Sequence, residues 1–132
     1  MGTALGGGVE RAPRPEIGWG EVETDEPSLI EPGPWFQFHY DRWIMPPGGV
    51  EIARNEVAPQ AFRIGRSLGV QFHPEITVRE LESWLGNSGE KAMRRLGLDP
   101  DAVLARTRAL EPVAERRAHR LMDAFLHGAH LL

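Results

Sequence analysis

Apolar and polar positions alternate along the first half of the chain, which is typical of strands that bury one face. Proline and glycine clusters separate these stretches and indicate turns. The pattern predicts strands at residues 9–12, 17–23, 35–39, 50–54, 60–64 and 68–72. A tight turn at residues 65–67 joins the last two as a hairpin.

The period changes to that of helices after residue 76. Thr77 and Glu80 form a capping-box pattern that predicts a helix start, with Val78, Leu81 and Leu85 on one face. A break is expected at residues 87–89, followed by a second helix over 90–96. Asp99-Pro100 predicts the start of a third helix, and Pro112 starts or kinks the last one. On that last helix the predicted apolar face comprises Ala114, Ala118, Leu121, Met122 and Phe125.

Strands first and helices last indicate a mixed α/β chain. Its 132 residues predict a single domain, with a strand-rich part over 1–76 and a helical part over 77–132. The net charge of −4 argues against a nucleic-acid partner. The absence of a long apolar run or signal peptide predicts a cytoplasmic protein away from membranes. The chain has no cysteine, which excludes thiol catalysis by its own residues.

His73 and Glu75 are the strongest candidates for chemistry, at the end of the apolar strand predicted over 68–72. Pro74 between them favours extended backbone at His73, and residues two apart in an extended segment point the same way. A carboxylate beside an imidazole fixes the imidazole tautomer. The pair supplies two of the three groups of a nucleophile–His–acid triad. Taken alone, a His-Pro-Glu sequence is also typical of a turn.

Three motifs resemble class I glutamine amidotransferases, in that family's order. Phe72-His73-Pro74-Glu75, preceded by Gln60-Ala61-Phe62-Arg63, resembles its final strand pair and catalytic motif. Phe38-His39-Tyr40-Asp41, followed by Met45-Pro46-Pro47-Gly48, resembles its His-Gly-Asp loop and the turn after it. Glu16-Ile17-Gly18-Trp19 resembles a segment of the subgroup similar to the amidotransferase part of GMP synthase. The resemblance covers about residues 5 to 85.

The resemblance implies a truncated flavodoxin-like, doubly wound sheet with an antiparallel part and C-terminal helices. It implies hydrolysis of the glutamine side-chain amide with transfer of ammonia, and needs no cofactor. A cysteine would attack the amide, His73 would move the proton and Glu75 would orient His73. Phe38, His39, Tyr40 and Asp41 would line the glutamine pocket, with Tyr40 in place of the family's usual glycine.

A larger departure lies at the start of the chain. The family's Gly-x-Cys-x-Gly elbow precedes an Ala-Leu-Gly-Gly segment, and this sequence begins close to Ala4-Leu5-Gly6-Gly7. The nucleophile and the first strands would then be missing, so we expect no activity from the chain alone. The partners implied are a missing N-terminal half, a synthetase or other ammonia acceptor, or a second copy that covers exposed strand edges.

Three alternatives stay open at this stage. The chain is a non-catalytic binding module, or it has γ-glutamyl hydrolase ancestry, or it holds a metal ion. The metal site would use His39, Asp41, His73 and Glu75, because two imidazoles and carboxylates form a common ligand set.

Overall fold

The computed structural model describes residues 1–128, and the last four residues of the predicted helical part lie outside the described residues. After a 3₁₀ turn at Thr3–Leu5, five strands follow, and their bounds are β1 Gly8–Thr24, β2 Gly33–Ile44, β3 Val50–Arg54, β4 Pro59–Ile64 and β5 Ser67–Val70. Helices come next: α1 Val78–Trp84, a π turn at Leu85–Gly89, α2 Glu90–Arg95 and α3 Pro100–Gly128. No helix in residues 1–128 is long and apolar enough to span a bilayer.

The strands form one sheet in the order β2-β1-β3-β4-β5, and each neighbouring pair is antiparallel. The sheet curls, so the chain beyond β5 returns to β2, where the His73 amide donates to the Phe36 carbonyl at 2.8 Å. This curled antiparallel sheet with C-terminal helices confirms the expected fold class.

Both faces of β2 are buried because Trp35 and Phe36 point to opposite sides of the strand. Trp35 stacks on Phe72 with ring centroids 4.4 Å apart, in a cluster that includes Val22, Ile30 and Leu121. Phe36 packs on the other side against Ile76, Leu81 and Met93, and so joins the sheet to the helices. The segment that carries His73 and Glu75 lies between these two clusters, since Phe72 and Ile76 anchor its ends.

Several sequence predictions differ from the structure in their boundaries. The two strands expected on either side of Pro13 and Pro15 are one strand, β1, with a bulge between Arg11 and Glu16. A bulge accommodates proline because the extra residues need no ladder hydrogen bonds. The last strand ends at Val70 rather than at Phe72, although the Gln71 amide still donates to the Gln60 carbonyl at 2.9 Å.

The helical half is more continuous than predicted. The break expected at residues 87–89 is a π turn within a helical stretch. Pro112 was expected to start or kink the last helix, and a new start there is wrong, because α3 continues through that proline. Met122 was expected on the apolar face but is 55% exposed, whereas Leu121 beside it is buried.

Two helix starts form as expected, one of them only in part. The Thr77 hydroxyl accepts from the Glu80 amide, and the Asp99 carboxylate accepts from the Asp101 amide, each at 3.1 Å. The Glu80 side chain does not complete the predicted capping box, because its carboxylate accepts from the Trp84 indole instead.

Candidate active site

His73 and Glu75 are brought together by a short segment after β5. Nδ1 of His73 lies 2.7 Å from Oε1 of Glu75. A carboxylate can only accept a hydrogen bond, so Nδ1 carries the proton that it donates to Glu75. Nε2, in neutral imidazole, is then the basic nitrogen, and it has no hydrogen-bond partner among residues 1–128. The expected adjacency of these two side chains is therefore present.

The pair lies at the protein surface. The His73 side chain is 30% exposed and the Glu75 side chain 59% exposed. The backbone behind it is fixed, because the His73 amide donates to β2 and Ile76 is buried. A thiol or a substrate can therefore approach the imidazole from solvent.

Trp84 forms a wall beside His73 that the sequence analysis missed. The two ring centroids are 5.0 Å apart and the planes are inclined at 71°. Phe38 contacts the same indole edge to face at 5.4 Å. Trp84 therefore links the predicted base to the first residue of the predicted substrate segment. The helical period of residues 77–85 could have placed position 84 near Thr77, but it could not show which ring it would meet.

The four predicted substrate-binding residues of β2 line one cleft, but their side chains alternate between the two faces of the strand. Phe38 lies with the helices, whereas His39 is buried on the opposite face. Tyr40 lies under the Arg11 guanidinium, 5.4 Å from the ring centroid, and Asp41 accepts from Arg11 at 3.2 Å. The predicted strand ended at residue 39 and residues 38–41 were also likened to a loop, whereas β2 continues to Ile44, so Tyr40 and Asp41 belong to the same strand.

Two clefts flank these residues. One, of about 500 Å³, is lined by Phe38–Trp43 with Arg11 and Gln71. The other, of about 580 Å³, lies between residues 74–77 and α3, where its lining includes Glu75, Glu111 and Glu115. Gln71 and Glu75 stand on either side of His73 in the chain, so the imidazole lies between the segments that line the two clefts.

A buried polar network surrounds His39 and was also missed. Nδ1 of His39 donates to the Asp41 carbonyl at 2.9 Å. Nε2 lies 2.9 Å from Oε2 of Glu16, although it forms no hydrogen bond with the described residues. Glu16 also accepts from Asn55 at 2.5 Å and from Gln60 at 3.2 Å, and Gln60 accepts from Gln37 at 2.8 Å. Buried carboxylates require such partners, so these contacts hold β1, β2 and β4 together.

The four ligands of the alternative metal site belong to two separate groups of contacts. His39 belongs to the Glu16 network, whereas His73 belongs with Glu75. Among the described residues, no three histidine or acidic side chains are grouped to hold a metal ion.

Comparison with known proteins identifies the family. The chain is similar to GMP synthase (glutamine-hydrolyzing) of Aeropyrum pernix, with 34% identity over 110 residues that cover 74% of this chain. It is 38% identical over 105 residues to the Thermus thermophilus enzyme of the same name. The chain belongs to the class I glutamine amidotransferase-like family. No protein-family model matches it.

The fold agrees with that of solved members of this family. A glutamine amidotransferase from Thermotoga maritima superimposes with a TM-score of 0.83 at 24% identity, over 95% of this chain. The Methylobacillus flagellatus glutamine amidotransferase also gives 0.83 at 24% identity, over 96% of this chain. This amidotransferase-like chain spans 57% and 58% of those two structures. It spans only about a fifth of the two GMP synthases, at 22% and 21%.

Proposed function

We propose that the chain supplies the base and the orienting carboxylate of a glutamine amidotransferase site whose cysteine comes from another polypeptide segment. The observation that carries this proposal is the 2.7 Å contact between Nδ1 of His73 and Oε1 of Glu75. That contact leaves Nε2 as the atom able to take a proton from a thiol. The proposed reaction, hydrolysis of the glutamine side-chain amide, follows from the family assignment. Because the 132 residues include no cysteine, the nucleophile must come from another polypeptide segment.

The reaction divides into two steps. The cysteine thiol gives its proton to Nε2 of His73 and attacks the side-chain amide carbon of glutamine. The C–N bond breaks, and His73 returns the proton to the departing ammonia. Water then attacks the thioester carbon and gives a proton to Nε2 of His73, the C–S bond breaks, and His73 returns that proton to the cysteine thiolate as glutamate leaves. Glu75 holds the imidazole in its Nδ1–H form and stabilises the imidazolium that forms in each step.

Phe38–Asp41 are proposed to form the glutamine pocket mainly through backbone groups. Their side chains contact other parts of the protein, since His39 is buried beside Glu16 and Asp41 pairs with Arg11. Tyr40 stands where the family usually has glycine, and the cleft that its ring and Arg11 line still has a volume of about 500 Å³. Main-chain contacts to a ligand can therefore persist despite the larger side chain.

The proposed partner that receives ammonia is a synthetase. Both relatives named above are GMP synthases. This chain has no Gly-x-x-x-x-Gly-Lys-Ser phosphate-binding motif, so it offers no sign of its own acceptor chemistry. Ammonia would pass to a separate domain or chain.

A non-catalytic module is the second candidate, and the absence of cysteine favours it. It predicts a folded chain that binds its partners and shows no turnover even when a thiol is supplied. Gel filtration would show whether the folded chain is a monomer or an oligomer, and the cysteine-complementation experiment described in the Discussion separates the two candidates.

Ammonia release from glutamine by the isolated chain tests the outside-nucleophile requirement. Removing the nucleophile of a triad hydrolase costs on the order of 10⁶ in rate, so release should equal that of a His73→Ala control. Release above the control would mean that the chain has its own nucleophile and would refute the requirement for another segment.

A further inference from the structure

Trp84 contacts His73, the side chain proposed to act as the base. The His73–Glu75 contact alone is a weak restraint, because the two side chains are 30% and 59% exposed and such pairs contribute little. Without further support the imidazole would rotate away into water. The indole of Trp84 closes one side of the ring at a centroid distance of 5.0 Å.

Trp84 is itself held on three sides. Its Nε1 donates to Oε1 of Glu80 at 2.8 Å, one helical turn earlier. Phe38 packs on it edge to face at 5.4 Å, and Phe36 lies against it at 6.2 Å. A ring with these contacts forms a rigid wall rather than a mobile cover.

The π turn after Trp84 fixes its backbone as well. Gly89 comes so close that a Cβ there would lie 2.8 Å from the Trp84 carbonyl oxygen. Any larger residue must displace the turn or the tryptophan. Single π turns are frequent at functional sites, and this one follows the residue that contacts the predicted base.

We infer that Trp84 is a positioning residue that keeps the His73 imidazole in contact with Glu75, so that Nε2 remains the basic nitrogen. The catalytic importance of Trp84 rests on the proposed function, whereas its effect on the His73 side chain does not. The orientation and tautomer of His73 can be measured in the isolated chain, without glutamine or a thiol.

The measurement is the side-chain ¹⁵N spectrum of His73, taken at a pH where the imidazole is neutral. It gives the ratio of the Nδ1–H to the Nε2–H tautomer. Trp84→Ala should shift this ratio toward Nε2–H by about two- to tenfold, the range expected for loss of one aromatic contact. Trp84→Phe keeps a ring and should restore most of the wild-type ratio.

Trp19→Ala is the matched control. Trp19 packs on the same Phe36 ring at 5.5 Å and donates to Thr107, so its loss disturbs the same core cluster. It should leave the His73 ratio unchanged. An equal shift in the two alanine variants, or no shift in Trp84→Ala, would overturn the inference.

Two further variants cover the case in which Trp84→Ala does not fold. Trp84→Leu keeps apolar volume but removes the ring, and Gly89→Ala displaces the backbone that carries it. Both should shift the tautomer ratio in the same direction, and an unchanged ratio in both would contradict the inference. Such a result would leave the proposed function standing, since that is tested by His73 and a supplied cysteine.

Discussion

Glu16 and His39 face each other across β1 and β2, where they are paired in register, with Oε2 and Nε2 2.9 Å apart. Their side chains are only 10% and 8% exposed. Nδ1 of His39 donates a hydrogen bond to the Asp41 carbonyl. This buried pair belongs to the framework beneath the predicted glutamine pocket.

Glu16→Gln should destabilise the protein by about 1–3 kcal/mol, the cost of a buried polar group without a suitable partner. The new NH₂ group would face the amide donors of Asn55 or Gln60, which now donate to the Glu16 carboxylate. Urea unfolding measures the change. Glu10→Gln is the control, because Glu10 pairs with Arg42 and is 46% exposed. It should change the free energy of unfolding by less than about 1 kcal/mol, and equal effects of the two substitutions would contradict the network.

Leu81 and Met122, both in the helical half, differ sharply in burial. Leu81 is fully buried against Phe36, whereas Met122 is 55% exposed. Leu81→Ala should therefore cost about 2–5 kcal/mol through lost burial and a cavity. Met122→Ala should stay within about 0.5 kcal/mol. Thermal unfolding of both variants would reveal whether Met122 belongs to the core, since a large loss there would place α3 in a different rotation.

The stability of the protein should fall in acid partly through Glu31. Hydrogen bonds from Arg120 and then Arg117 hold the pKa of the Glu31 carboxyl below its ordinary value of 4.5. A carboxyl whose pKa is lowered on folding stabilises the protein above its unfolded pKa and loses this contribution as the pH falls toward its folded pKa. Wild type should therefore exceed Glu31→Gln by up to about 1 kcal/mol at neutral pH. The difference should shrink as the pH drops below about 4.5.

Chemical denaturation at a series of pH values checks this dependence. Glu21→Gln provides the control, because Glu21 is exposed and forms no ion pair within residues 1–128. A gap between wild type and Glu31→Gln that widened in acid would have the wrong sign for a lowered pKa.

Much of the fold could be predicted because local rules and the final packing agree. The strand at 50–54 was located to the residue, and α3 begins at the proline after its Asp99 cap. The contact between His73 and Glu75 followed from their spacing around Pro74. These features depend on residues close together in the sequence.

The rest depends on distant partners. Helix α3 continues through Pro112 because residues on both sides of it are buried, Thr107 before it and Ala114 and Leu121 after it. That packing outweighs the roughly 3 kcal/mol cost of an internal proline. The approach of Trp84 to His73 depends on how the sheet curls and on where the helices pack against it. No periodicity within a single segment contains that information.

His73 and Glu75 are proposed to be the base and the orienting carboxylate of an amidotransferase site that lacks its cysteine. This proposal is tested most directly by supplying the thiol. We suggest joining the N-terminal part of a class I glutamine amidotransferase, with its first strands and Gly-x-Cys-x-Gly elbow, ahead of this chain, and measuring ammonia release from glutamine. The account predicts turnover that disappears with Cys→Ala in the added segment and with His73→Ala in this chain, each by several orders of magnitude. A folded fusion with no turnover, or turnover that survives His73→Ala, would contradict it.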